Sequence, residues 1–142
     1  MATNRRSNDS AEMKRFFEAA ARNRFPQLRR NKIAGAFTNS SSFSGDKLNT
    51  LVGLMIIALQ HGMIYVGLSM LPAANRPDGM ATLQGLDGDA HNRCGSFLGL
   101  MAAGFQVAPE DAPSTGDLEA AESYVRRIAE VASQTKLGRE AS

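Results

Sequence analysis

Two apolar runs without polar alternation, IAGAF at residues 33–37 and MIYVGL at residues 63–68, bracket the most apolar stretch of the chain. Continuous apolar runs of this length suit strands covered on both faces, as in a parallel sheet. Between them, residues 38–45 form a hydroxyl-rich break ending in glycine, and a helix follows to about Gln60. Ser44 or Asp46 is placed to cap that helix, and Gly62 to close it with a left-handed residue. Leu48, Leu51, Val52, Met55 and Leu59 make one apolar stripe on it, while Leu54, Ile57 and Ala58 make another. A helix apolar on more than one face is buried on more than one face. One stripe is expected against the sheet and the other against a second subunit, because so small a domain has little further interior.

The remaining periodicity is helical. Met13, Phe16, Phe17 and Ala20 repeat at i, i+3, i+4 and i+7, which predicts a helix starting at Ser10 and stopped by Pro26. Asn92 is placed to cap a helix over residues 93–103 with Phe97, Leu98 and Met101 inward. A last helix is capped by Ser114 or Thr115 and carries Leu118, Ala121, Val125, Ile128, Ala129 and Ala132 on one face. Residues 1–9 read as a disordered lead-in, residues 10–134 as one domain, and residues 135–142 as a frayed tail. Residues 69–92 show turn signals but no period, which marks a functional or mobile loop. The order α-β-α-β-loop-α-α implies a parallel α/β sandwich, yet two strands are too few for a doubly wound sheet.

Composition narrows the classes. The chain has 142 residues, 43% hydrophobic and 21% charged, with net charge +2. These are the proportions of one globular domain, with no strong pull towards nucleic acid. A single cysteine, Cys94, excludes a disulfide framework and a cysteine zinc site, and fits a reducing, cytoplasmic setting. No apolar stretch approaches the roughly 20 residues that a membrane span takes.

The candidate chemistry lies in the turn at residues 38–46, at the carboxyl end of a parallel strand and the start of a helix. Backbone N–H groups converge there under the positive end of the helix dipole, and Thr38, Ser40, Ser41, Ser42, Ser44 and Asn39 add side-chain donors. An anion or a ring carbonyl suits such a loop; so does plain solvent. Neither nucleotide-binding glycine fingerprint is present. His61 is either a histidine ending its helix or a polar group reaching a cofactor across a subunit interface. The basic link of Arg22, Arg24, Arg29, Arg30 and Lys32 is either a solvated helix end or a docking patch for a dinucleotide phosphate. His91 with Asp87 and Asp89 reads as solvated rather than metal-binding, and Cys94 as a packing residue. Hydrolase chemistry has no matching motif.

The segments SAEMKRFFEAA, KIAGAFTNSSSFSGDKLNTL, QHGMIYVGL and NRCGSFLGLMA, within residues 10–132, resemble the flavodoxin-like NAD(P)H:quinone oxidoreductases of the tryptophan-repressor-binding-protein type. They also resemble the related NADPH-dependent FMN reductases. The resemblance implies an α/β flavodoxin-like parallel sheet with flanking helices, of which this chain carries the C-terminal strands. It implies FMN as cofactor and NAD(P)H as co-substrate, with two-electron transfer to a quinone or flavin substrate by a homo-oligomer, dimer or tetramer. Carried over, Thr38, Asn39, Ser40, Ser41 and Ser42 border FMN, Gly45 allows close approach, and His61 takes the catalytic position beside the quinone and nicotinamide. The family's phosphate loop and three N-terminal strands find no counterpart in these residues. The alternative is therefore a flavin-free fragment acting as an assembly or binding module.

Overall fold

The computed structural model describes residues 11–75, 87–104, 107–108 and 110–140. The expected lead-in at residues 1–9 and the turn signals at Pro77, Gly79 and Gly85 lie outside them. Three layers are present. Among the described residues the central layer holds four short parallel strands, β1 (Ile33–Ala34), β2 (Phe37–Ser40), β3 (Ile64–Tyr65) and β4 (Leu100–Ala103). Helix α2 (Lys47–Gln60) covers one face and helix α3 (Thr115–Glu140) the other. Helix α1 (Ala11–Ala20) brings Met13 and Phe17 towards the α2 face.

β1 pairs with β3, and β2 pairs with β4. Both partners lie on one edge of residues 32–40. The carbonyls of Lys32, Ala34, Ala36 and Ser40 accept in turn from the N–H groups of Ile64, Val66, Leu100 and Gly104, at 2.9, 2.8, 3.2 and 2.8 Å. Alternate residues of a strand direct their backbone groups to the same side. The second strand expected at residues 63–68 is thus one ladder built from two pieces of chain, with the excursion between them spanning residues 67–99.

This corrects three expectations. The strand beginning at Ile33 runs on to Ser40, so Thr38, Asn39 and Ser40 belong to β2 and not to a turn. The helix expected over residues 93–103 is instead a turn followed by β4. Asn92 and Gly95 have φ of 48° and 74°, which breaks any helix there. The Asn92 side chain accepts from Ser96 N–H at 2.9 Å and donates to the Ser96 and Met70 carbonyls at 2.8 and 2.7 Å. The run that follows is buried at every position, the signature of an interior strand and not of a half-wet helix. Helix α3, finally, continues to Glu140, past the start of the tail expected to fray. Its last turns are held by Arg139, which donates to the Asn31 carbonyl at 2.7 Å, and by an i, i+4 pair of Lys136 and Glu140 at 3.8 Å.

Each sheet face has its own apolar cluster. Val66, Leu68, Leu100, Ala120 and Tyr124 fill the α3 side, with Ile33 and Ile128 packed against them. Ala36, Leu51 and Met101 fill the α2 side, with Leu54, Cys94 and Leu98. Of the two stripes on α2, the one that meets the sheet is Leu54 and Ala58 together with Leu51; Leu48 and Leu59 face outward, each 53% exposed. Neither Ser44 nor Asp46 caps α2 through its side chain: Asp46 is the N-cap residue, in the left-handed region at φ 51°. In α1, Ala20 is buried but Met13 and Phe16 are largely exposed. Gly35 matters for packing, because a Cβ there would overlap Ile128 and sit 2.7 Å from the Tyr124 hydroxyl.

Candidate functional site

The carboxyl ends of β2 and β4 lie side by side, and residues 41–46 rise from them into α2. This is the edge at which open α/β sheets bind ligands. Ser41, Ser42 and Ser44 are exposed, Asn39 is exposed, and Thr38 and Ser40 are half-buried. Of the hydroxyls, Ser40 is used internally: its Oγ donates to the Ser42 carbonyl at 3.1 Å. Gly45 sits at φ 47°, and a Cβ on it would overlap Ser40 Oγ. The glycine is needed for the loop to fold back on Ser40, a role the sequence reading did not foresee.

Two further residues hold the loop that sequence reasoning missed. Lys47 is 1% exposed, and its ammonium donates to the Ser42 carbonyl at 2.5 Å and the Ala102 carbonyl at 2.9 Å. Burial pushes the Lys47 ammonium below its ordinary value and the Cys94 thiol above its own, each partly offset by the other. The second is Arg93, whose Nε and Nη2 make a forked pair with the Asp117 carboxylate at 3.2 and 2.9 Å. Asp117 also accepts from the Ala103 N–H at 3.0 Å, and the Arg93 guanidinium lies 5.4 Å from the Phe43 ring centre. A lysine at the first turn of an apolar helix was the available signal; burial of Asp117 in the first turn of α3 had none.

Beneath the loop a cleft of about 840 Å³ opens, lined by Phe43, Asn49, Val52, Arg93, Cys94 and Met101 among others. Cys94 is half-buried among the packing residues of this face, in a turn instead of a helix. His91 reaches Glu119, with Nε2 2.8 Å from Oε2; among the described residues no group of three or more metal-ligating side chains occurs.

His61 stands elsewhere. It closes α2 at the end opposite the serine loop, and fourteen helical residues separate the two by about 21 Å at 1.5 Å per residue. Its side chain is 4% exposed, and Nδ1 has no hydrogen-bond partner among the described residues. Within one chain it cannot touch a small ligand held by residues 41–45.

The donor set fits part of FMN. Exposed serine hydroxyls and loop N–H groups at a helix N-terminus suit the carbonyl-bearing edge of a flavin ring. Among the described residues the loop offers no cationic side chain of its own to a phosphate; Lys47 is turned inward.

No family model matches the chain. It is 32% identical over 123 residues to a flavodoxin of Pseudomonas aeruginosa, covering 87% of this chain and 62% of that protein. It is 28% identical over 123 residues to an NAD(P)H dehydrogenase (quinone) of Archaeoglobus fulgidus, covering 52% of that protein. The solved structure of a WrbA-like flavodoxin from Agrobacterium tumefaciens superposes with a TM-score of 0.63 at 30% identity, over 93% of this chain and 62% of that one. The fold is flavodoxin-like, and in sequence the chain is similar to these flavodoxin-like proteins. It spans between 52% and 62% of the length of these relatives.

Proposed function

We propose that this chain serves flavin-dependent redox chemistry, as an FMN-dependent NAD(P)H:quinone or flavin oxidoreductase. One observation carries the reading: the Ser41, Ser42 and Ser44 loop stands at the carboxyl edge of two paired parallel strands, braced from below by Lys47. Relatives named as a flavodoxin and as an NAD(P)H dehydrogenase (quinone) supply the class of chemistry. FMN, when bound, supplies a two-electron carrier between nicotinamide and acceptor. The chain's own part is to present Ser41, Ser42 and the loop N–H groups to the ring carbonyls, with Thr38 and Asn39 at the strand end below. Arg93 and Phe43 shape the floor of the cleft. His61, buried and at the far end of α2, takes no part in this reading, which does include a homo-oligomer with the outward Leu48, Ile56 and Leu59 of α2 as its apolar contact. No described helix is long and apolar enough to cross a membrane.

The affinity expected of this chain alone is low. A flavin phosphate normally gains several charge-assisted hydrogen bonds at about 1.5–3 kcal/mol each, and residues 41–46 replace none of them with a cation. Titrating FMN into the purified chain tests the reading through flavin fluorescence. Quenching with a shifted visible spectrum is expected at high micromolar or weaker affinity. A flavin that stays fully fluorescent at saturating protein would refute flavin binding by this chain. A flavin-free binding module is the second reading, favoured by the lack of a cationic side chain turned outward at residues 41–46.

A further inference from the structure

The link between α1 and β1 is a basic turn with an apolar tip. Residues 19–45 contain no Asp or Glu, while Arg22, Arg24, Arg29, Arg30 and Lys32 carry five positive charges. Among these cations Phe25 is 88% exposed and Leu28 64%. The Arg24 guanidinium lies 5.7 Å from the Phe25 ring centre. On the adjoining helix ends, Glu18 sits in the last turn of α1, and Glu140 pairs with Lys136 at 3.8 Å. The turn has a bonded frame. Gln27 and Asn31 take left-handed φ of 51° and 63°, and the N–H groups of Leu28 and Arg30 donate to the Asn23 and Gln27 carbonyls at 3.1 and 2.9 Å. It is also pinned to both neighbouring helices. Gln27 Nε2 donates to the Gln60 carbonyl at 3.2 Å, Asn31 N–H to the Gly62 carbonyl at 2.7 Å, and Arg139 of α3 to the Asn31 carbonyl at 2.7 Å. Two large apolar side chains are thus held outward by a preorganised backbone, which lowers the ordering cost of any contact they make.

We propose that this turn docks the protein on a membrane surface rich in anionic lipid. Phe25 and Leu28 enter the headgroup region, and the cations around them meet lipid phosphates. A bilayer interface accepts both parts at once, apolar side chains towards the acyl chains and Lys or Arg at the headgroups. Reversible peripheral binding of this kind takes two signals, and the turn supplies an apolar one and a basic one. Charge decides against the other occupants. A second copy meeting this face about a twofold axis would set the same five cations against each other. A nucleic acid would satisfy the cations but lay its phosphate backbone against Phe25 and Leu28, with nothing apolar to cover them. Docking here leaves the serine loop at the far end of α2, on the aqueous side. The inference therefore involves no cofactor and is independent of the flavin reading.

The test is cosedimentation of the whole chain with vesicles of phosphatidylcholine that contain about a third phosphatidylglycerol. Binding is expected to these and not to pure phosphatidylcholine. Most of it should be released at about 1 M salt, where the screening length falls to about 3 Å. Arg24→Gln and Arg30→Gln should each weaken partition about fivefold. Phe25→Ser with Leu28→Ser should weaken it by at least about tenfold. All four positions are exposed, so melting temperatures should stay within about 1–2 °C and separate lost docking from lost folding. The chain has no tryptophan, so Phe25→Trp supplies a single fluorescent reporter. Its emission should move to the blue on anionic vesicles and stay unmoved on neutral ones. Four results overturn the proposal: no binding to anionic vesicles, equal binding to neutral ones, binding indifferent to Phe25→Ser with Leu28→Ser, or a reporter that does not shift. Tighter binding of a duplex oligonucleotide than of vesicles would also overturn it, as would a self-dimer abolished by the same double change.

Discussion

The Tyr124 hydroxyl stands where the ladder changes partner, donating to the Val66 carbonyl at 2.6 Å and accepting the Ala36 N–H at 3.3 Å. Ala36 N–H and Val66 C=O would bond to each other in an unbroken parallel pair. Here the chain leaves after Val66 and β4 takes over at the Ala36 carbonyl, so a side chain from α3 fills the gap. Tyr124→Phe leaves both backbone groups buried and unpaired, and unfolding in urea should show a loss of about 2–3 kcal/mol. A loss under about 0.5 kcal/mol would mean that the strands close up without the hydroxyl.

Burial holds the Tyr124 phenol above its ordinary value of 10.0, with Tyr65 displaced in the same direction by its own burial. The folded state then binds more protons than the unfolded one above pH 10.0, so stability is complete below that pH and falls as pH rises past it. Unfolding midpoints measured from pH 8 to 11 should drop steeply at the alkaline end, and less steeply in Tyr124→Phe. Equal slopes in both proteins would assign the alkaline loss to other groups.

Lys47→Met keeps the aliphatic stem and removes the donor shared by the Ser42 and Ala102 carbonyls. The expected cost is about 2 kcal/mol, since desolvation of the ammonium already offsets part of its bonding. Loop amides at residues 41–46 should exchange faster while those of β1 hardly change. Uniform acceleration across the chain would instead show Lys47 to be a global support and not a brace for the loop.

Asp117→Asn leaves the Arg93 guanidinium buried beside a neutral amide, and breaking a buried pair this way costs about 3–5 kcal/mol. Joint replacement by Arg93→Met and Asp117→Leu should recover part of that, though Ala103 N–H then loses its acceptor. Thermal melting of the single and double variants separates the two outcomes; a double variant no better than the single would place the cost in the Ala103 bond.

Ser41→Ala with Ser42→Ala removes exposed hydroxyls and should leave the melting temperature within about 1–2 °C, as surface changes do. Any FMN affinity found by titration should weaken about tenfold, the loss of one net hydrogen bond. Unchanged affinity would move the flavin elsewhere. For assembly, Ile56→Glu, at a position 46% exposed on the outer side of α2, should halve the sedimenting mass if that face pairs two copies.

Much of the fold was legible. The apolar runs at residues 33–37 and 63–68, the helix over Lys47–Gln60 and the left-handed Gly62 follow from local chemistry, because burial on both faces leaves no polar alternation. Residues 93–103 misread as a helix because a short apolar run with inward residues at helical spacing looks alike in either form. Burial decided it: β4 is covered by α2 on one side and α3 on the other, and neither contact is local in sequence.

The serine loop shows the same division. Its hydroxyls, its glycine and its place between strand and helix belong to the sequence alone. That Gly45 serves Ser40, that Lys47 turns inward, and that His61 is buried are consequences of three-dimensional packing. The open edge is likewise tertiary. A strand's odd and even groups are chemically identical along the chain, and among the described residues it is the partners on one side that leave Gly35, Phe37 and Asn39 facing outward. Local sequence determined the helix over Lys47–Gln60 and the apolar runs around it, while long-range pairing decided that residues 100–103 are strand and which side of residues 32–40 is satisfied, because hydrogen-bond partners distant in sequence are chosen only when the layers close.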